Sequence, residues 1–308
     1  LWRVELSNGS GTAYSSTATV GIHNYWIVAN GHHDWNTGSN WSAGLVPSTS
    51  CPTVVVPVVP LSNYPILSTG PIATITNLQI APNASVTVTG NTIQIAGTIS
   101  NGGIFNVTNG TVELNGTTAQ NIAGDNFANG IAGKYNTVQN LIISNNAGVS
   151  VANTLLDTLN ITGTLSFGTS SAQLATGGNI TLKSSATATA NVGMLAAGNT
   201  ITGNVTVERY FNVGSGGSYH VASWQFVATP TQGQTVYQSW MENGSTASTG
   251  YGTQVTSPGG AGFDAVSSGP SLKSYVYNTD SWLGIPNTAI QVYNPEGYML
   301  FVRGDRSV

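Results

Sequence analysis

From Trp35 to Val112 the chain runs 78 residues without one Asp, Glu, Lys or Arg. The stretch is not greasy, because Asn, Thr, Ser and Gly separate short runs of Val, Ile and Leu. A membrane-spanning helix needs about 20 consecutive apolar residues, and no segment comes near that. A disordered segment lacks β-branched clusters such as Val54-Val55-Val56 and Val86-Thr87-Val88. The combination predicts β-structure whose exposed face carries neutral hydrogen-bonding side chains. It leaves few groups for acid–base chemistry.

With 308 residues the chain can hold two or three domains, each with its own core. Charged residues are 6% of the whole, against roughly 25% in ordinary soluble domains. The net charge is -4 and the Lys and Arg residues are scattered, so nothing can neutralise a phosphate backbone and nucleic-acid binding is not expected. Cys51 is the one cysteine, which excludes an intramolecular disulfide and a cysteine-built zinc site. Without an initiator Met or a signal peptide the chain reads as a piece of a longer or processed polypeptide. No membrane insertion is expected.

From Ile72 to about Val207 short apolar–polar–apolar units recur, among them Leu78-Gln79-Ile80, Val86-Thr87-Val88, Ile93-Gln94-Ile95, Phe105-Asn106-Val107, Val112-Glu113-Leu114 and Val149-Ser150-Val151. Such units, divided by Asn, Gly or Thr, are too short for a sandwich and suit the rungs of a parallel β-helix, a solenoid with about 20 residues per coil. An antiparallel sandwich is the competing arrangement. Residues 1–22 read as a hairpin turned at Asn8-Gly9-Ser10-Gly11. Residues 23–71 hold Trp35 and Trp41 among Gly, Asn and Pro. They predict a buried aromatic plug over the first coil, because an open β-helix end exposes backbone groups and apolar side chains. In residues 208–308 aromatics become common and long Gly/Ser loops appear, which predicts a separate all-β module.

Many parallel β-helices cleave polysaccharides with clustered carboxylates or a Ca²⁺ site. Between Cys51 and Val207 the charged residues are Glu113, Asp125, Lys134, Asp157 and Lys183, with no paired or columnar carboxylates. A site from Glu113 and Asp125 on neighbouring coils is the one arrangement open to a lyase or hydrolase. His32-His33-Asp34, with His23 upstream, concentrates metal-type ligands, but adjacent strand histidines point to opposite faces. They read as loop residues beside the Trp plug, and His220 as part of the C-terminal module. Neither a Gly-x-Ser-x-Gly elbow nor a phosphate loop ending in Gly-Lys-Ser or Gly-Lys-Thr occurs. No catalytic residue, cofactor or metal is therefore expected. Arg303-Gly304-Asp305 reads as a turn with a local ion pair and not as an integrin ligand. Trp224, Trp240 and Trp282 are candidates for stacking on sugar rings, against the commoner role of Trp in a core.

The opening hairpin resembles the last hairpin of bacterial immunoglobulin-like modules. Asn40-Trp41-Ser42-Ala43-Gly44-Leu45-Val46-Pro47, trailed by Asn63-Tyr64-Pro65-Ile66-Leu67, resembles an entry motif of large secreted surface proteins of the Bacteroidota. Glu208-Arg209-Tyr210-Phe211 and the terminal Val302-Arg303-Gly304-Asp305-Arg306 resemble a module that follows β-helices in such proteins. Asp157-Thr158-Leu159 resembles their O-glycosylation site, with Thr158 as acceptor. The resemblance implies an all-β protein: an Ig-like remnant over 1–22, a Trp-containing entry over 23–71, a β-helix over 72–207 and an aromatic-rich β-sandwich-like module over 208–308. It also implies export by type IX secretion to the cell surface or beyond. The expected function is a non-enzymatic structural or adhesin role in a self-associating filament or larger assembly. A carbohydrate-binding module on a β-helical stalk, with glycans as partners, is the alternative.

Overall fold

Alternating apolar and neutral polar residues build the first of two compact units, Leu1–Tyr210; the second is Phe211–Val308. The computed structural model describes residues 5–8, 11–14, 23–28, 31–130, 136–152, 158–212, 222–242, 252–258, 261–264, 269–292 and 297–302. Of the N-terminal segment it describes one antiparallel hairpin, Glu5–Asn8 with Gly11–Tyr14. The described residues are all-β apart from single turns of helix.

From Asn24 to Val207 the paired strands are parallel, which excludes the antiparallel sandwich for this region. They form a four-stranded sheet opening at Asn24–Tyr25, a ten-stranded sheet opening at Ile66–Leu67 and a four-stranded sheet opening at Gln120–Ala123. The chain leaves one sheet, enters another and returns to lie beside its own earlier strand. Ile93 lies beside Val112, and Val112 beside Leu141, steps of 19 and 29 residues. Equivalent positions therefore meet as columns. Ile75, Ile95, Leu114 and Ile143 are register partners in sequence, and all four are buried. Each such burial contributes about 1.5–3 kcal/mol relative to exposure.

Four of the expected three-residue units fuse in pairs into two long strands. Ser85–Ile95 and Ile104–Leu114 are each 11 residues long, and each holds two apolar–polar–apolar arms around a glycine. The register shifts between Asn106 and Thr111, where the strand bends. Gly110 is needed there because a Cβ would lie 2.6 Å from the Val88 carbonyl oxygen.

Residues 23–71, read from the sequence as a separate entry segment, contribute strands to the same sheets. Asn24–Tyr25 pairs with Thr53–Val56, which pairs with Asn77–Ile80. The other edge of Asn24–Tyr25 is covered by the chain itself. Ile27 N donates to Asn40 O at 3.0 Å and Ser42 N to Tyr25 O at 2.8 Å, around an antiparallel Trp26–Trp41 bridge. At the first strand of the large sheet, Trp35 N donates to Ile66 O and Ile66 N to His33 O. Trp35 and Trp41 are buried, as their setting among turns predicts, and Trp26 joins them. The rings of Trp26 and Trp35 both meet Trp41 edge-on, at 5.0 and 4.8 Å. Trp26 Nε1 donates to Asn63 O, and Trp41 Nε1 to Trp35 O.

In the second unit the strands Ser223–Ala228, Gly297–Val302, Leu272–Val276 and Ser281–Gly284 form one antiparallel sheet in that order. The β-sandwich expected for residues 208–308 is not formed by the described strands. No second sheet faces this one among the described residues. Its inner face, carrying Leu272, Tyr298, Leu300 and Val302, is instead covered by Val236 and Met241 of the helical turn region and by loop residues Val255, Ile285 and Val292. A single sheet can bury one face in this way when short, irregular segments supply the opposing apolar groups.

Trp41→Ala should lower the stability of the first unit by about 3–5 kcal/mol, the cost of deleting a large buried aromatic. Gly110→Ala should cost about 1–3 kcal/mol through overpacking. Leu45→Ala, at an exposed neighbour of the plug, should stay within about 0.5 kcal/mol. Urea unfolding followed by far-ultraviolet circular dichroism ranks the three.

Candidate functional site

The chemistry-bearing residues of the first unit are engaged in holding its strands together. Glu113 sits on Ile104–Leu114 with both carboxylate oxygens occupied: Gln94 Nε2 donates to one at 2.8 Å and Ser144 Oγ to the other at 2.6 Å. Thr74 Oγ1 donates to Gln94 Oε1, so Thr74, Gln94, Glu113 and Ser144 form one chain of hydrogen bonds across successive strands. Asp125 lies in the turn after Gln120–Ala123, where its backbone carbonyl accepts from Ala128 N and Asn101 Nδ2. No interaction joining Asp125 to Glu113 is found among the described residues.

His33 Nδ1 donates to Tyr64 O, and the Asp34 carboxylate accepts from Asn36 N and Thr37 Oγ1, so His33 and Asp34 organise the turn that carries Trp35. Among the described residues no three of His, Cys, Asp and Glu gather as a metal-holding group. Burial pushes the Cys51 thiol up, against a smaller opposing effect of the Asn24 backbone, which keeps it out of the reactive thiolate form. Thr158 is half-buried at the entry to Leu159–Ile161, and its hydroxyl lies 3.0 Å from that of Thr181. His220, Lys134, Asp157 and Arg303-Gly304-Asp305 lie outside the described residues. No helix among the described residues is long and apolar enough to cross a membrane.

A polar hollow of ≈ 220 Å³ marks the bend of the long strands, lined by Asn91, Thr92, Asn109, Thr111, Gln139 and Asn140 beside Gly90 and Gly110. Asn140 is spent on structure, since its Oδ1 accepts from Thr164 N. The hollow holds no charged side chain that could activate the hydroxyls of Thr92 and Thr111.

The second unit differs. Period-two alternation sends Tyr298, Leu300 and Val302 inward and leaves Met299 and Phe301 on the opposite face. Register places Trp224 beside Phe301, Phe226 and Lys273 beside Met299, and Tyr275 beside Trp282. These residues share the outer face of the sheet. Trp224 and Phe301 stand 5.0 Å apart by ring centroid, Phe226 and Trp282 5.5 Å, and Tyr275 and Trp282 5.4 Å. Phe226 is 73% exposed, Trp224 42% and Tyr275 41%. The Lys273 ammonium lies 4.7 Å from the centre of the Trp224 ring, within cation–π range.

The three Trp residues singled out in the sequence thus divide. Trp224 and Trp282 belong to the outer face. Trp240 packs edge-on against Tyr298 at 5.3 Å and covers the core. Phe226, Lys273, Tyr275 and Phe301 complete the outer face, and sequence reasoning missed them. Alternation along Ser223–Ala228 was a usable signal, since Trp224 and Phe226 sit two residues apart. The pairing of distant strands was not.

No family model, curated protein or solved structure matches the chain.

Trp240→Ala should destabilise the second unit by about 3 kcal/mol or more, whereas Trp224→Ala should cost well under half of that; thermal unfolding separates them. The Tyr275 phenol is held above its ordinary value, first by donating a hydrogen bond to Asp280 and second by partial burial. That contribution to stability is present below the unfolded tyrosine value, about 10, and is lost as pH rises through the raised folded value. Asp280→Asn should bring the titration down, read as tyrosinate absorbance.

Proposed function

We propose that the chain is a non-enzymatic structural or adhesive segment of an extracellular, cell-surface protein, in which residues 23–207 wind as a β-helical stalk. The single observation that carries this reading is the parallel pairing of the described strands from Asn24 to Val207, with their buried aliphatic columns and mostly neutral outer side chains. Seven successive strands of the large sheet, from Ile66–Leu67 to Thr206–Val207, span about 30 Å at the usual spacing of paired strands. A ladder of this kind resists local opening because its inner strands are held on both sides. The Glu113 carboxylate is occupied by ladder hydrogen bonds, which favours a mechanical over a catalytic role.

The likeness of the Trp and terminal motifs to exported surface proteins of the Bacteroidota supports placement outside the cell, and with it glycosylation at Thr158. A surface with 6% charged residues presents little long-range repulsion between copies, which supports self-association into a filament. The second reading, a glycan-binding module carried on the stalk, is favoured by the exposed aromatic face of the second unit.

Negative-stain microscopy and light scattering of native material across an ionic-strength series test the main reading. Short rods or fibres whose size changes little with salt are the expected outcome, because few ion pairs are available. A strictly monomeric protein that depolymerises a polysaccharide and loses that activity on Glu113→Gln would overturn it.

A further inference from the structure

We propose that the outer face of the antiparallel sheet in Phe211–Val308 binds an acidic polysaccharide, with Trp224, Phe226 and Trp282 stacking on pyranose rings and Lys273 meeting a sugar carboxylate or sulfate. The proposal rests on reading this unit as the adhesive part of the chain. It does not depend on the stalk being a β-helix.

Three observations carry it. The first is the composition of the face, which is built of rings and the one thioether of Met299 and not of branched aliphatics. Flat, polarised rings suit the C–H faces of sugars. Their exposure is high for side chains of this size, with Phe226 mostly in solvent.

The second is the placing of the cation. Lys273 lies on Leu272–Val276, an inner strand of the sheet, so its ammonium stands within the face and not at its rim. Its register partners are Gly284 and Met299, which bring no carboxylate beside it. The acidic group of this face, Asp280, accepts from the Tyr275 hydroxyl. Among the described residues the one ion pair is Lys183–Glu208, in the other unit. Among the described residues Lys273 is therefore a positive charge without a countercharge, set against aromatic rings.

The third is what that cation does to competing occupants. Burying an unpaired ammonium under an apolar protein surface is costly, and lysine is depleted from the cores of protein interfaces. Two-fold packing of this face on a second copy would bring two Lys273 residues into one contact. An acidic glycan supplies ring stacking and a countercharge together, and it leaves the contact hydrated.

The test uses the full chain with immobilised polygalacturonate, alginate and chondroitin sulfate, and with fully methyl-esterified polygalacturonate as the uncharged control. Retention by at least one acidic polymer, weakened by salt and several-fold weaker on the ester, is expected. Lys273→Gln should bring binding of the acid down to that of the ester. Trp224→Ala and Trp282→Ala should each weaken binding of both forms about three- to tenfold. Near-ultraviolet circular dichroism confirms that each variant is folded, and Lys273→Gln, which touches no core residue, keeps the test decisive if an aromatic variant is not. Retention by none of the acidic polymers overturns the proposal. So does equal retention of acid and ester by the parent chain, or a dimer that Phe226→Ser dissolves. Any of these leaves rods or fibres in the microscope unaffected, so failure here is distinguishable from failure of the stalk.

Discussion

A parallel ladder of backbone hydrogen bonds is the constraint from which the rest of the first unit follows. Each strand satisfies its neighbours, but the first strand of each sheet presents an open row of N–H and C=O groups. The chain closes two such rows with its own residues 33–42. Backbone bonds from Asn40 and Ser42 cover Tyr25 and Ile27, and bonds from His33 and Trp35 cover Ile66. The cluster of Trp26, Trp35 and Trp41 fills the space behind them and donates two indole N–H groups to carbonyls of the same region. The Trp-rich segment is thus the start of the ladder and its seal at once.

Irregular turns between the strands raise a second demand, because their backbone groups have no ladder partner. Amide side chains meet it from inside. Gln120 Nε2 donates to the carbonyls of Ile95 and Gly97 while its Oε1 accepts from Gly116 N, and Asn145 Nδ2 donates to Thr118 O and to that same Gln120 oxygen. Asn126 links Ile99 O to Ala123 N in the same manner. An amide carries donors and an acceptor without charge, so it can be buried where a carboxylate or ammonium would be penalised. The scarcity of charge and the abundance of Asn are two sides of one solution.

The second unit uses alternation differently. Its sheet buries one face under a helical turn and loops and leaves the other covered by rings around a lysine. A monomeric surface rarely keeps so many aromatics together without a use for them. Among the described residues the flanks of the ladder show no comparable cluster, which is why the proposal places binding in the second unit and support in the first.

The sequence by itself determined the secondary structure class, the scarcity of charge and the burial of Trp35 and Trp41. These are local or additive properties: period-two alternation, β-branched content and large rings among turns all read within a short window. It also marked a change of character near Glu208, close to where the compact units divide after Tyr210. Only the tertiary structure decided the steps at which the parallel strands pair, as different as 19 and 29 residues, because register is set by which columns fill, and spacing in sequence does not encode it. The same cause hid Trp26 from the plug, kept Glu113 from looking like part of a hydrogen-bonded column, and left Trp224, Trp240 and Trp282 indistinguishable. Which side of a sheet a tryptophan faces depends on strands far away in sequence, and that relation exists only once the backbone has paired.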